Sequence, residues 1–120
     1  MRYGYSISEW TKAKEEMRHL LSERAKVRGT IPYSDLVQQV RTIAFEPEAF
    51  AFHAMLGEIS REEDAAGRGM LSVIVVHKYG DMQPGPGFFE LAKGLGRNTA
   101  DILTCWIDEL KKVWACWSLR

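Results

Sequence analysis

The sequence predicts a small α+β domain that is mostly helical, and three observations support this. The chain has 120 residues and is 46% hydrophobic, which is enough apolar material for one core and no second domain. Apolar residues recur at three- and four-residue steps along most of the chain, the period of amphipathic helices. One stretch, Val73–Val76, is instead a β-branched run typical of a buried strand, and it leads into a segment rich in glycine and proline.

The first predicted element is an N-terminal amphipathic helix over residues 6–27. Ser6 and Glu9 have the spacing of a capping box, in which each side chain accepts a hydrogen bond from the other residue's backbone N–H. The apolar stripe that follows consists of Trp10, Ala13, Met17, Leu20 and Leu21. Gly29 ends the helix, because glycine readily adopts the left-handed conformation found after helix ends.

Two central helices are predicted after a short extended segment, residues 30–33. Ser34 is a favourable N-cap for a helix over 34–42. Pro47 suits the first position of a second helix, over 47–66, because proline has no N–H and that position needs none. The apolar stripe of this second helix consists of Phe52, Met55, Leu56 and Ile59.

The last part of the chain is predicted to contain one strand and two helices. The strand covers 71–78 and precedes a Gly/Pro loop. The prolines of this loop fix the backbone angle φ and the glycines leave it unrestricted, and neither suits a helix interior. A short helix follows over 88–95. Asn98 and Asp101 have the spacing of a cap for a C-terminal amphipathic helix over 98–118, which carries three of the four tryptophans.

This order of elements is that of a winged helix. Residues 30–96 are predicted to form the winged-helix-like core, with the Gly/Pro loop as the wing and the terminal amphipathic helices at its flanks. A complete wing needs a returning strand, but only Phe88 and Phe89 precede the next helix-forming residues. The hairpin must therefore be short, or the strand must pair with Thr30–Tyr33.

A resemblance to other proteins is carried by Ile31–Leu36, by Leu56–Arg61, by Leu71-Ser72 with Val75–Lys78, and by Pro84–Leu91. Together they resemble an uncharacterised family of small bacterial domains, and the PGPGFF stretch is the most specific part. Their order is also similar to the winged-helix part of alkyltransferase-like DNA-binding proteins, which implies a DNA-binding fold. Those proteins carry a Pro-Cys-His-Arg or Pro-Trp-His-Arg motif where Val75-Val-His-Lys78 stands here, so the resemblance does not imply alkyl transfer.

The first functional hypothesis is a non-enzymatic winged-helix-like module with a DNA-binding or regulatory role, whose partner would be duplex DNA. The candidate nucleic-acid-binding residues are His53, Ser60, Arg61, Arg68, Lys78, Gly85 and Gly87. The two glycines would donate backbone N–H groups to a phosphate, although Pro86 between them has none. Charge weighs against strong binding, because residues 30–96 hold five Lys or Arg against nine Asp or Glu.

The alternative hypothesis is a protein-binding or homodimerising adaptor with no nucleic-acid role. The candidate dimer-interface residues are Trp10, Trp106, Trp114 and Trp117. The C-terminal helix is apolar around much of its circumference, which is more than a surface helix usually exposes. The purely structural alternative is that these tryptophans pack against the N-terminal helix of the same chain. The acidic middle of the sequence and its aromatic ends favour the adaptor.

An enzyme is the third hypothesis, with a hydrolase- or nuclease-like activity built on His77, Lys78 and Asp81. A metal-dependent nuclease of this strand-borne type would place an acid two residues before the lysine, where Val76 stands. A solvated strand end is therefore the favoured interpretation of these residues. No catalytic residue is assigned.

Neither a metal, a cofactor nor a membrane segment is expected. The acidic side chains that could hold a divalent ion are Glu58, Glu62, Glu63 and Asp64. Their spacing matches no calcium loop, so a solvated helix face is favoured. Cys105 and Cys116 lie about three turns apart on one helix, too far for a disulfide, and are expected to be reduced. No apolar run approaches the roughly 20 residues of a membrane span and no signal peptide is evident, so a cytoplasmic protein is expected.

Overall fold

The mostly helical α+β class is confirmed by a computed structural model, which describes residues 1–118. Five helices surround one 3₁₀ helix and a two-stranded parallel sheet in this part of the chain. The elements are α1 (Ile7–Lys26), β1 (Ile31–Pro32), α2 (Tyr33–Gln39), α3 (Phe50–Ala65), the 3₁₀ helix Leu71–Ile74, β2 (Val75–Val76), α4 (Pro86–Gly94) and α5 (Ile102–Ser118). Within residues 1–118, no helix combines the length and the apolar character needed to span a membrane.

The core is built around the segment Met70–Val76, whose apolar side chains are all buried. α1, α3 and α5 pack against the 3₁₀ helix that begins this segment, so it is enclosed on several sides. α1 contributes the apolar stripe that the sequence predicted, including Trp10, Met17 and Leu21. The capping box at its start is also confirmed: Ser6 Oγ accepts from Glu9 N at 3.1 Å, and Ser6 N donates to Glu9 Oε1 at 3.3 Å.

The prediction of one strand over 71–78 is wrong at both ends. Only Val75 and Val76 are extended and paired, with Ile31 and Pro32 of β1, and the four residues before them form the 3₁₀ helix. The reason is that a strand needs a neighbour of its own length, and β1 ends where α2 begins at Tyr33. Pairing with the 30–33 segment, one of the two arrangements expected, is confirmed.

The Gly/Pro loop, residues 77–85, has no returning strand, so the winged-helix arrangement is not confirmed. β1 and β2 run parallel, whereas a wing is an antiparallel hairpin. The loop is closed instead by two hydrogen bonds, from His77 N to Gln83 O and from Gly85 N to the Tyr33 hydroxyl, each 2.9 Å long. It returns the chain to the start of α4, where Pro86 occupies the first turn.

The central helices are both shorter than the predicted 34–42 and 47–66. α2 ends at Gln39 because the next backbone N–H groups leave the helix: those of Arg41 and Thr42 donate to Glu16 Oε1 on α1. α3 begins at Phe50 rather than at Pro47, because residues 46–49 form a turn closed by a hydrogen bond from Ala49 N to Glu46 O. Tertiary hydrogen bonds and a local turn thus decide both ends.

The two C-terminal helices also differ from the predicted 88–95 and 98–118. α4 starts two residues earlier, since Pro86 can occupy the first turn. α5 starts at Ile102, because Asn98 Oδ1 accepts from Ala100 N and forms a turn before the helix. Asp101 Oδ1 accepts from Thr104 N at 3.2 Å, so Asp101 caps α5.

A candidate binding cleft between two helices

A cleft of about 380 Å³ lies between α3 and the start of α4. Its lining residues are Arg2, Tyr3, Tyr33, Phe50, His53, Ala54, Leu56, Gly57, Glu58, Arg61, Ser72, Gly87, Phe88 and Leu91. Most of them come from one side of α3 and from the first turns of α4, with the N-terminal residues Arg2 and Tyr3 joining them. The volume and the mixture of apolar walls with a few polar groups are typical of ligand sites.

Gly57 shapes the α3 side of the cleft. It lies inside a helix, where glycine is less favourable than alanine by about 1 kcal/mol. A Cβ atom at this position would lie 3.4 Å from Nη1 of Arg61 and 4.0 Å from Cδ2 of Leu91 on α4. The missing side chain therefore leaves room for the Arg61 guanidinium beside the α4 wall.

Arg61 is the free cation of the cleft. Its side chain is exposed, and it makes no ion pair with any residue of the 1–118 region. It borders the cleft and also the two neighbouring surface grooves, one over α4 and one beside α1. A guanidinium presents up to five N–H donors, so Arg61 has unused hydrogen-bonding capacity where the cleft adjoins these two grooves.

Ser72 provides a buried hydroxyl in the lining of the same cleft. It is 7% exposed and belongs to the 3₁₀ helix, with Ser60 of α3 beneath it. Ser60 Oγ donates to Ser72 Oγ at 2.6 Å and accepts from Ser72 N at 2.9 Å. This reciprocal pair joins α3 to the central segment and fixes the position of the Ser72 hydroxyl.

An aromatic cluster forms the wall nearest the Gly/Pro loop. The Tyr33 ring lies 5.4 Å from the ring of His53 and 5.3 Å from that of His77, between centroids. The Tyr33 hydroxyl accepts from Gly85 N, so the loop is tied to this wall. Burial raises the pKa of the Tyr33 phenol, and the hydrogen bond from Gly85 only partly offsets that effect. His53 in turn hydrogen-bonds the carbonyl of Pro47 through Nε2, at 2.8 Å.

Exposed aromatic rings also border the cleft. Phe50 is 75% exposed although it is the first residue of α3, and its ring lies 5.6 Å from the ring of Tyr3. Tyr79 and Met82 are also exposed, at the tip of the Gly/Pro loop. Single exposed apolar side chains are common on any protein, but neighbouring ones such as Phe50 and Tyr3 are typical of a surface that binds another molecule.

The four acidic residues of α3 lie beside the cleft, and the structure corrects their expected role as a solvated face. Each accepts from cations or donors of other segments: Glu58 from Arg2, Trp10 and Lys14, Glu62 from Lys14 and Arg18, Glu63 from Arg18 and Arg68, and Asp64 from Arg97. Glu63 is only 1% exposed. Sequence spacing could not reveal these pairs, because most partners lie 33 to 56 residues away.

These contacts lower the pKa of each acidic side chain. Burial opposes ionisation of Glu58, but hydrogen bonds from Trp10, Arg2 and Lys14 outweigh it and lower the pKa. Burial likewise opposes ionisation of Glu63, and the hydrogen bonds from Arg68 and Arg18 outweigh it. Apart from Arg61, the cations that contact this side of α3 are therefore neutralised within the chain: Arg2, Lys14, Arg18, Arg68 and Arg97.

The structure brings together three of the seven predicted nucleic-acid-binding residues. His53, Arg61 and Gly87 all line the cleft. The other four are engaged elsewhere. Ser60 is fully buried, both Arg68 Nε and Nη2 donate to Glu63, Lys78 Nζ lies 3.5 Å from Asp35, and Gly85 N donates to Tyr33. Ser60 therefore has no exposed hydroxyl to offer a nucleic acid.

The predicted dimer-interface tryptophans make contacts inside their own chain. Trp10 is 2% exposed and donates to Glu58, so it has no surface to offer a second copy. Trp106 and Trp114 are partly buried and donate to the carbonyls of Val73 and Gly29, both at 3.1 Å. The Arg68 guanidinium lies 5.8 Å from the Trp117 ring. α5 also packs against α1, which is the arrangement weighed against the dimer.

The residues of the enzyme hypothesis do not converge. The His77 ring faces Tyr33, Lys78 faces Asp35, and Asp81 Oδ1 accepts from Gln83 N within the loop. They therefore share no reacting centre. Within residues 1–118, no group of three or more His, Cys, Asp or Glu side chains is arranged to hold a metal ion.

Sequence reasoning missed Gly57, Leu91 and Phe50 as parts of a site. Gly57 could have been noticed in the sequence, because a glycine inside a strongly periodic helical pattern usually has a packing or functional reason. Leu91 and Phe50 gave no such signal, because an apolar residue at helical spacing is usually core. Comparison of the chain with protein-family models, with curated proteins and with solved structures found no match.

Proposed function

We propose that this chain is a non-enzymatic protein-binding module whose α3/α4 cleft receives a segment of a partner protein. The observation that carries the proposal is Arg61, an unpaired exposed cation beside the apolar α4 wall formed by Phe88 and Leu91. A charged group that has no internal partner and lies at an apolar cleft is suited to an intermolecular contact.

The exposed aromatic rings support the proposal. Phe50 and Tyr3 line the cleft and offer exposed apolar area to a partner. Tyr79 and Met82 are exposed on the Gly/Pro loop, which is tied to the cleft residue Tyr33 through Gly85. Aromatic residues, Met and Arg are the residue types enriched at the centres of protein interfaces. Hydrogen bonds hold Ser60, Ser72 and Tyr33 in position, and a site that is preformed in this way loses little entropy on binding.

DNA binding by a winged-helix-like arrangement is the second candidate. It is favoured by His53 and Arg61, which lie about two turns apart on α3, and by Gly87 at the start of α4. It is disfavoured by the internal ion pairs of Lys14, Arg18 and Arg68, because DNA affinity comes largely from cations free to replace counterions. The one arginine of the cleft without an ion pair in the 1–118 region, Arg61, supplies little of this counterion-release energy.

The test is selection of binders from a displayed library of random 12-residue peptides against the folded chain. Enriched peptides are then measured on two leucine variants, Gly57→Leu, which fills the cleft, and Ala115→Leu, at an exposed position of α5 away from the cleft. We expect the affinity to fall at least about tenfold with Gly57→Leu and to stay unchanged with Ala115→Leu. Circular dichroism spectra identical to wild type show that both variants are folded.

Two results would contradict the proposal. One is that no enriched peptide distinguishes the two leucine variants. The other is that random-sequence duplex DNA binds the chain at low salt, with affinity that falls steeply as salt rises and that is reduced by Arg61→Ala, which would favour the DNA-binding candidate. Light scattering at high micromolar concentration shows whether a second copy of the chain is itself the partner.

A further inference from the structure

We infer that the cleft recognises a carboxylate carried beside an apolar side chain, such as an acidic residue next to a large apolar one in the partner segment. This inference rests on the proposed function and names its ligand chemistry. Three features of the cleft carry it: the free Arg61 guanidinium, the proton of the Ser72 hydroxyl, and the net charge of the lining.

The Ser72 hydroxyl has a proton to donate. Ser60 and Ser72 carry two hydroxyl protons, and the hydrogen bond between them uses one, donated by Ser60. Ser60 Oγ accepts from Ser72 N, so both hydroxyls of the pair are placed by backbone and side-chain contacts. The hydroxyl proton of Ser72 remains for a third group, and Ser72 lines the cleft. An ionised carboxylate only accepts hydrogen bonds and is thus a suitable partner.

The charge of the lining matches one negative charge. The ionised residues of the cleft are Arg2, Arg61 and Glu58, which leave one positive charge when histidine is counted as neutral. Arg2 Nε already donates to Glu58 Oε2 at 2.9 Å, so Arg61 is the uncompensated charge. A carboxylate neutralises it. A doubly charged phosphate would bring a second negative charge close to Glu58, which is unfavourable.

The apolar walls explain why the carboxylate should be attached to an apolar group. Leu91 lies against the space left by Gly57, where the Arg61 guanidinium also lies, and Phe88 is on the same side. A carboxylate at Arg61 would therefore carry its neighbouring carbon atoms onto Leu91 and Phe88. Partial removal of water there strengthens an arginine–carboxylate hydrogen bond, which can be bidentate.

The experiment is an NMR titration of the ¹⁵N-labelled full chain with three small probes. They are 3-phenylpropionate, its uncharged amide, and inorganic phosphate at the same ionic strength. We expect 3-phenylpropionate to shift the signals of Arg61 Nε and of the Gly57 and Gly87 amides in a saturable way. The amide should bind at least about tenfold more weakly, because it cannot form the charge-assisted hydrogen bonds. Phosphate should produce no saturable shift at these positions.

Variants locate the effect at the named groups. Arg61→Gln should abolish the preference for the acid over the amide, whereas Lys93→Gln, which removes an exposed cation of α4 outside the cleft, should leave it intact. Ser72→Ala should reduce the preference for the acid over the amide by a smaller factor than Arg61→Gln does. The amide spectrum of this variant should match that of wild type away from residue 72, which shows that it is folded. Retention of the full preference in Arg61→Gln would overturn the inference.

The outcomes separate this inference from the proposed function. Equal binding of acid and amide, or tighter binding of phosphate at Arg61, overturns the carboxylate assignment, while the peptide selection can still succeed. Peptides that depend on Gly57 but contain no carboxylate also overturn it. A selection that yields no cleft-dependent peptide contradicts the proposed function itself, even where 3-phenylpropionate binds.

Discussion

Arg97 donates two hydrogen bonds to the buried carboxylate of Glu109, from Nε to Oε1 at 2.9 Å and from Nη2 to Oε2 at 3.0 Å. Nη2 also donates to Asp64 Oδ1 at 2.6 Å, and Glu109 Oε2 accepts from Met70 N at 2.8 Å. These contacts join the end of α3, the start of the buried central segment and the middle of α5. The hydrogen bonds to Glu109 and Asp64 raise the pKa of Arg97.

Arg97→Met should lower the free energy of unfolding by about 3 kcal/mol, because it leaves the Glu109 carboxylate buried with the Met70 N–H as its one remaining hydrogen-bond partner among residues 1–118. Arg97→Lys should lose less, since it keeps the charge but not the planar pair of donors. Urea unfolding followed by tryptophan fluorescence measures both. Lys111→Met, which removes an exposed cation from α5, is the control. A loss no larger than that of the control would show that the Arg97–Glu109 contact does not stabilise the fold.

Gly69→Ala should destabilise the chain much more than Gly67→Ala. Both glycines have positive φ, +87° and +81°, so an alanine at either position is strained by about 1 kcal/mol. A Cβ at Gly69 would also lie 3.0 Å from Glu109 Oε2 and 3.1 Å from Val113 Cγ2, whereas a Cβ at Gly67 meets nothing within 4 Å. We expect losses of about 3 and about 1 kcal/mol. Equal midpoints of urea unfolding for the two variants would show that α5 shifts to accommodate the methyl group at position 69.

Stability should fall as the pH drops below about 4.5, the ordinary pKa of a glutamate side chain. Hydrogen bonding to Arg97 lowers the pKa of Asp64, and the arginine contacts of Glu63 lower its pKa against the effect of burial. The unfolded chain therefore takes up protons at a higher pH than the folded chain does. The stabilisation is complete above the unfolded pKa and is lost as the pH falls through the lower, folded pKa.

Glu63→Gln tests this pH dependence, because glutamine is neutral at every pH. At pH 7 the variant should be less stable than wild type by about 2 kcal/mol, since it loses charged hydrogen bonds to Arg18 and Arg68. The gap should narrow as both proteins are taken from pH 5 to pH 3 in urea unfolding. A gap that stays constant over this range would show that ionisation of Glu63 does not contribute to stability.

Gly57→Ala should make the chain more stable and a poorer binder. Alanine is favoured over glycine inside a helix by about 1 kcal/mol, and the new methyl group would lie at ordinary contact distance, 3.4 Å, from a flexible arginine. The same methyl group occupies the space beside Arg61 and Leu91. The midpoint temperature of thermal unfolding should therefore rise, and the affinity for the selected peptides should fall. A gain in stability with unchanged peptide affinity would place the binding contact elsewhere.

How much of this molecule was predictable depends on the sequence distance of its contacts. The capping box of α1, the apolar stripes of α1 and α3, and the mostly helical class were predictable, because they follow from residues three or four positions apart. The ends of α2 and α3 were predicted less well. The end of α2, for example, depends on Glu16, which lies 25 and 26 residues from the groups it accepts from.

For the candidate site, the sequence by itself determined the residue types: His53, Arg61 and Gly87 were identified as binding candidates before any geometry. Only the tertiary structure decided which of them share a surface. It buried Ser60 beneath Ser72 and paired Arg68 with Glu63, but it left Arg61 unpaired. The central segment shows the same limit, since Val73–Val76 has the composition of a strand. Because β1 supplies a partner for only two residues, the packing of α1, α3 and α5 around this segment determined its shape.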